Sequence, residues 1–161
     1  MDLKRSFPPV VDERTRVLVL GSLPGEVSLA RQRYYAHPQN QFWRLIGAVI
    51  GTTLEPLPYE ARIEALLERG VGLWDTVGSA TRRGSLDGNI RDIARNPLPE
   101  LVDSLPALKA VGFNGGKSAA LGVPQLGGRE LALVPLPSSS PAYTIPFEAK
   151  LADWRKLAAF L

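Results

Sequence analysis

Cysteine is absent from the 161 residues, and that one absence removes disulfides, thiolate-ligated zinc, iron–sulfur clusters and thiol nucleophiles together. Histidine occurs once, at His37. No apolar run approaches the roughly 18 residues a membrane span needs, and the start, Met1-Asp2-Leu3-Lys4-Arg5, has no apolar stretch of the kind that opens a secretory signal. No internal repeat, linker or low-complexity tract interrupts the chain. What remains is one globular domain, 1–161, with enough length for a single sizeable core and a reducing cytoplasm as its expected compartment.

Excess charge is lacking too, at a net +3, but the cations are unevenly chosen and unevenly placed. Fourteen arginines stand against five lysines, and arginine is the better bidentate phosphate ligand. Arg31, Arg33 and Arg44 share a stretch whose only acid is Glu26; Arg82, Arg83, Arg91 and Arg95 share another, partly offset by Asp87 and Asp92. A solvated basic surface would account for either cluster. Two clusters in two expected loops point to a polyanion as partner.

Hydrophobic patterning predicts alternating strands and helices. Strands are expected over Arg16–Gly21, Val71–Thr76, Leu108–Gly112 and Leu131–Leu136. Helices are expected over Gln41–Ile50, Tyr59–Glu68, Pro97–Leu105, from Lys117 to Leu121, and from Phe147 to Leu161. The stretches Ser22–Asn40 and 77–96 read as loops. Such alternation implies an α/β fold with a parallel sheet covered on both faces. Ligands of such sheets bind beyond the carboxyl ends of the strands. Here those ends are followed by Ser22–Asn40, Asp75–Asn96 and Pro137–Thr144, the segments of most unusual composition.

Gly21-Ser22-Leu23-Pro24-Gly25 makes a tight turn after a strand, whose amides can face a ligand; taken alone it is as readily a plain turn. It is not a Walker loop. Lys117-Ser118 after Asn114-Gly115-Gly116 imitates the end of one, but the first glycine of that spacing is missing. The segment from Tyr34 to Trp43 is more specific: two tyrosines, His37-Pro38, Asn40 and Phe42-Trp43 lie within ten residues. Tyr35, in the loop, is placed to stack on a base, whereas Phe42 and Trp43 fall inside a helix and read as core. Ser138, Ser139 and Ser140, flanked by Pro137 and Pro141, can hold a phosphate or simply make a turn. Asp75 closes its strand where it can accept from a base N–H or pair with a nearby arginine.

Taken in order, these strings resemble the uracil-DNA glycosylase superfamily, and within it the hypoxanthine-DNA glycosylase branch. They are the Gly21–Gly25 turn, Tyr34–Trp43, Leu73-Trp74-Asp75, Gly84-Ser85-Leu86-Asp87, Phe113-Asn114-Gly115 and Leu136–Ala142. The likeness runs from Val17 to Trp154, and the block from His37 to Trp43 is also similar to mismatch-specific uracil glycosylases.

The resemblance implies a three-layer α/β/α sandwich with a four-stranded parallel sheet. It implies an enzyme that flips a deaminated base out of DNA and hydrolyses its N-glycosidic bond without metal or organic cofactor. Most members carry a catalytic Asp or Asn where this chain has Leu23; in the hypoxanthine branch the catalytic Asn lies later, at Asn40. The same likeness assigns the base to Ser22, Leu23, Tyr35, Asp75 and Asn114. It assigns DNA to Pro24, Gly25 and the segment Ser138, Ser139, Ser140, Pro141, Ala142, Tyr143, with Arg82 and Arg83 on phosphates.

Two departures stand out. Ser138 occupies a position where relatives often have His or Asn. Ala142 occupies the bulky wedge position, leaving that part to Tyr143. Asn40 is expected to hold a water through its amide oxygen. His37 is expected to be structural. With no lysine in the pocket segments and Lys117 only near them, strand cleavage through a Schiff base is not expected. The expected partner is DNA bearing hypoxanthine, xanthine or uracil, met by a monomer. The alternatives are a uracil- or mismatch-specific glycosylase, a catalytically weak damaged-DNA-binding module, and a nucleotide-binding α/β protein unrelated to DNA.

Overall fold

The computed structural model describes residues 3–161, so Met1 and Asp2 lie outside the described residues. Along the chain run β1 (Leu3–Arg5), β2 (Val17–Gly21), α1 (Glu26–Arg31), α2 (Phe42–Ile50), α3 (Tyr59–Glu68), β3 (Val71–Asp75) and β4 (Val77–Thr81). They are followed by β5 (Arg91–Arg95), α4 (Leu98–Asp103), β6 (Ala110–Asn114), α5 (Gly116–Leu126), β7 (Ala132–Leu136) and α6 (Phe147–Trp154).

Four strands form one parallel sheet in the order β3-β2-β6-β7. Successive side chains on a strand point to opposite faces, and both faces here are apolar. Val17, Val19, Val71 and Leu73 face α2, α3 and α6, where they meet Phe42, Ile46, Leu66 and Trp154. Leu18, Leu20, Trp74, Val111 and Phe113 face α4 and α5, with Leu98, Val102 and Leu126. Each such side chain taken out of water contributes about 2 kcal/mol. The expected three-layer α/β/α sandwich is what the chain forms. Pro135 lies in β7, an edge strand, where its missing N–H is tolerated.

The stretch expected to be a basic loop, 77–96, is instead an antiparallel hairpin. With β1 it builds a second, three-stranded sheet in the order β1-β4-β5. Val77-Gly78-Ser79-Ala80-Thr81 and Arg91-Asp92-Ile93-Ala94-Arg95 lack a clean apolar alternation, and the register slips twice between them. Helix α1 was also hidden, inside the expected loop Ser22–Asn40. Strand β6 begins two residues later than expected and runs to Asn114, because its ladder with β7 continues to Leu136. The last helix tightens into a 3-10 turn over Arg155–Phe160. No helix among the described residues is long and apolar enough to cross a membrane.

Candidate active site

The carboxyl ends of β2, β3, β6 and β7 open into one cavity of about 720 Å³, within the range of small-molecule sites. The first turn, the Tyr34–Asn40 loop, Asp75, the hairpin tip and the 137–144 loop all line it. Segments far apart in the chain are thus gathered at one place, as the strand-end rule requires.

Asn40 sits just before α2, and its side chain is fully oriented. Its Oδ1 accepts from the first amide of that helix, Phe42 N–H, at 2.9 Å, and from Ser139 Oγ at 2.8 Å. The Phe42 amide can only donate, so Oδ1 is fixed on that side and Nδ2 is the group left for the cavity. The expected water-holding role of the oxygen is therefore corrected: both its lone pairs are in use. Ser139 is buried and belongs to this framework rather than to a DNA-facing surface. Its Oγ also accepts from Asn114 Nδ2 at 2.9 Å, its N–H donates to Asn114 Oδ1 at 2.9 Å, and its carbonyl accepts from Gln41 N–H at 3.0 Å.

Asn114 lines the cavity but uses both Nδ2 hydrogens inside the protein, the second on Tyr35 Oη at 3.3 Å. It is the tie between Tyr35 and the 137–144 loop. Tyr35 holds a positive φ of 52°, and Phe42 stacks on one face of its ring at 3.9 Å between centroids, so a base can stack only on the other. Burial first, then the nearby Asp75 carboxylate, pushes the Tyr35 hydroxyl well above its ordinary pKa, which keeps it neutral. Phe42 and Trp43 are core residues, as expected.

Asp75 is 3% exposed, and its Oδ2 has no hydrogen-bond partner among the described residues. Burial, then the charge of Asp87, pushes its pKa up to about 7, against a smaller opposing pull from Arg82. Gly21 makes room for it: a Cβ there would stand 2.6 Å from Asp75 Oδ1 and 3.1 Å from Tyr35 Oη.

Leu23 packs its side chain into a third apolar cluster with Val77, Ala80 and Ile90. Ser22 donates through Oγ to Asp87 Oδ1 at 2.6 Å. Asp87, at the start of a 3-10 turn over Asp87–Asn89, reads in the sequence only as an offset to nearby arginines, with no sign of its bond to Ser22. Arg82 was expected on phosphate; it is 1% exposed and turned inward. Its guanidinium donates to the carbonyls of Gly84 (2.9 Å), Leu23 (3.3 Å) and Pro24. Arg83 beside it is exposed.

Ser138 and Ser140 each accept, at 3.1 Å, from the amide two residues on, which stiffens the loop into successive turns. Pro141, Ala142 and Tyr143 are exposed at its tip. Lys150, missed by the sequence reading, is buried beneath the loop and donates to Ser140 O at 3.2 Å. Its spacing from Phe147, Leu151 and Trp154 put it on the apolar stripe of α6, which was the available signal. Desolvation lowers its pKa. His37 is exposed and closes its own turn, with Nδ1 accepting from Gln39 N–H at 3.1 Å. Among the described residues no group of three or more acidic or histidine side chains is arranged to hold a metal.

A buried carboxyl, an oriented amide and a half-open aromatic face, set at the strand ends of a three-layer sandwich, define a site for a flat polar ring. Residues 8–161 match the model of the uracil DNA glycosylase superfamily, and the chain belongs to that superfamily. A hypoxanthine DNA glycosylase from Methanosarcina acetivorans is 41% identical over 152 residues, 94% of this chain and 96% of that one. Another, from Methanosarcina barkeri, is 49% identical over 115 residues, covering 71% and 73% of the two chains. A candidate uracil DNA glycosylase from Methanosarcina acetivorans, solved by solution NMR, superposes with a TM-score of 0.88 at 38% identity, over 98% of this chain and 97% of that one.

Proposed function

We propose that this protein is a monofunctional DNA N-glycosylase of base-excision repair, which takes a flipped deaminated base, hypoxanthine foremost, into the strand-end cavity. It works as a monomer in the cytoplasm and without a cofactor. The observation that carries the reading is the single hydrogen-bonded frame of Asn40, Ser139, Asn114 and Tyr35 facing the orphaned carboxyl of Asp75.

Breaking the C1′–N bond leaves its electron pair on the base and positive charge on the sugar; a water oxygen then bonds to C1′ and gives up a proton to solvent, and the anionic base takes up one in turn. Asp75, near half-protonated at neutral pH, presents O–H or carboxylate to the lactam edge of the base. In its protonated form it donates to a base carbonyl as negative charge builds there. The amides of Ser22 and Leu23 donate to the same ring. Asn40 directs Nδ2–H at the water or the departing base, and no strong base is needed because the sugar cation is a good electrophile. Tyr35 supports the ring by its free face. A lactam base is a better leaving group than an unmodified purine, which suits a site without an ionised catalytic carboxylate in the first turn.

The test is base release from labelled oligonucleotides carrying deoxyinosine, deoxyuridine or deoxyxanthosine, single- and double-stranded, with abasic sites revealed by alkali. Release from deoxyinosine that falls at least about 100-fold in a folded Asn40→Ala protein is the expected result. Release from deoxyuridine alone would move the substrate within the superfamily. No release by folded wild-type protein would overturn the enzyme reading and leave a DNA-binding module.

A further inference from the structure

Large apolar side chains exposed among the described residues are three: Leu3, Leu86 and Tyr143. Two of them, Leu86 at 57% exposure and Tyr143 at 46%, line the same cavity. They arrive from separate parts of the fold, Leu86 from the tip of the β4–β5 hairpin and Tyr143 from the loop after β7. Tyr143 is absorbed by the loop expected to plug DNA. Leu86 has no part in the proposed base chemistry and belongs to none of the three apolar clusters among the described residues.

The hairpin tip that carries Leu86 is held firmly. Buried Arg82 ties Gly84 O to the carbonyls of Leu23 and Pro24. Lys4 Nζ reaches Gly84 O at 2.9 Å, Ser85 Oγ accepts from Glu26 N–H at 2.9 Å, and Asn89 Nδ2 donates to Arg83 O at 3.2 Å. Gly84 takes φ +73°, a turn that places the next residues outward. An exposed leucine on a flexible tip would be ordinary. On a tip locked from beneath by this many polar contacts, it is presented.

The charge around it suits a polyanion. Arg83 is exposed next to it, and the two acids at this lip are already engaged, Glu26 with Lys4 at 3.0 Å and Asp87 with Ser22 at 2.6 Å. We infer that Leu86 is a second wedge. With duplex DNA docked and a base in the cavity, Leu86 packs against the base stack on one side of the vacated position while Tyr143 packs on the other. The inference rests on the DNA glycosylase reading above and adds a second point of contact with the duplex. A purine leaves a wider gap than a pyrimidine, and two inserted side chains fill more of it than one.

The test compares wild type, Leu86→Ala, Tyr143→Ala and, as an exposed apolar residue away from the cavity, Leu3→Ala. Two quantities are read for each. One is the ratio of base release from duplex to single-stranded deoxyinosine. The other is affinity for a duplex holding a tetrahydrofuran abasic analogue, relative to an intact duplex, which needs no chemistry.

Leu86→Ala is expected to lower both ratios about tenfold, the order that one leucine side chain withdrawn from a packed site produces, while single-strand release stays within about twofold. Leu3→Ala is expected to match wild type. Unchanged ratios in Leu86→Ala would overturn the second wedge, and so would an equal loss on single and double strands, which marks a structural role. A wild type that releases no base yet prefers the abasic duplex, with Leu86→Ala losing that preference, would keep the wedge and remove the glycosylase reading. A wild type with neither property would remove both.

Discussion

Replacing Asp75 by asparagine isolates the cost of holding a charge at the bottom of the cavity. The carboxyl is 3% exposed, one of its oxygens has no partner among the described residues, and burial raises its pKa from 3.8 to about 7. A folded-state pKa above the unfolded one means that the folded protein binds the extra proton. The corresponding stability is fully present below the unfolded value and is lost as pH rises through the folded one. The full loss is roughly 4 kcal/mol, and more than half of it falls between pH 5 and pH 8. For a chain of this length that is a fall of roughly 5–10 °C in Tm. Asparagine has no proton to lose, so the assay is thermal or urea unfolding of both proteins from pH 5 to pH 8. The wild-type curve should decline relative to the Asp75→Asn curve and run level with it above pH 8. Asp87→Asn, which removes the neighbouring charge, should move the break to lower pH. Parallel curves for wild type and Asp75→Asn would refute the argument, because the carboxyl would then titrate as it does in the unfolded chain.

Two further outcomes follow from the same geometry. Arg82→Met leaves the Leu23 and Pro24 carbonyls without their donor, Gly84 O keeping Lys4 Nζ, and should cost about 3 kcal/mol in urea unfolding. It should leave the slope of log affinity for DNA against log salt at its wild-type value, whereas Arg83→Ala should reduce the slope by about one; a reduced slope for Arg82→Met would put that guanidinium on a phosphate after all. Gly21→Ala drives a methyl group into Asp75 Oδ1 and against Tyr35 Oη, and base release should fall about 100-fold with the circular dichroism spectrum unchanged; retained release would show that neither group is needed in its place.

The layers of the fold were readable because β2 and β6 are continuous apolar runs and α2 repeats its apolar residues at helical spacing, which are strong periodic signals. The β4–β5 hairpin was not, because Gly78, Ser79 and the arginines of β5 carry little strand preference, and tertiary pairing made the choice. Within the site, Tyr35 and Asp75 could be placed from composition and strand ends, whereas Asn40 was singled out only by the resemblance to a family. Arg82 and Ser139 could not be told from their less buried neighbours, the exposed Arg83 and the half-buried Ser140. Adjacent residues of one type carry the same local signal, and only the packing decides which turns inward. Asp87 and Lys150 are of the same kind: each is an ordinary polar residue until the fold brings Ser22 to the one and the 137–144 loop over the other.

Ser139 joins two parts that would otherwise be independent. Its hydroxyl is a donor to Asn40 and an acceptor from Asn114, so its one proton has a set direction, away from the end of β6 and towards the amide before α2. Displacing the 137–144 loop withdraws that proton and leaves the amide held by the Phe42 N–H alone. The 137–144 loop therefore acts as a latch on the Asn40 amide, supplying one of the two hydrogen bonds that fix it.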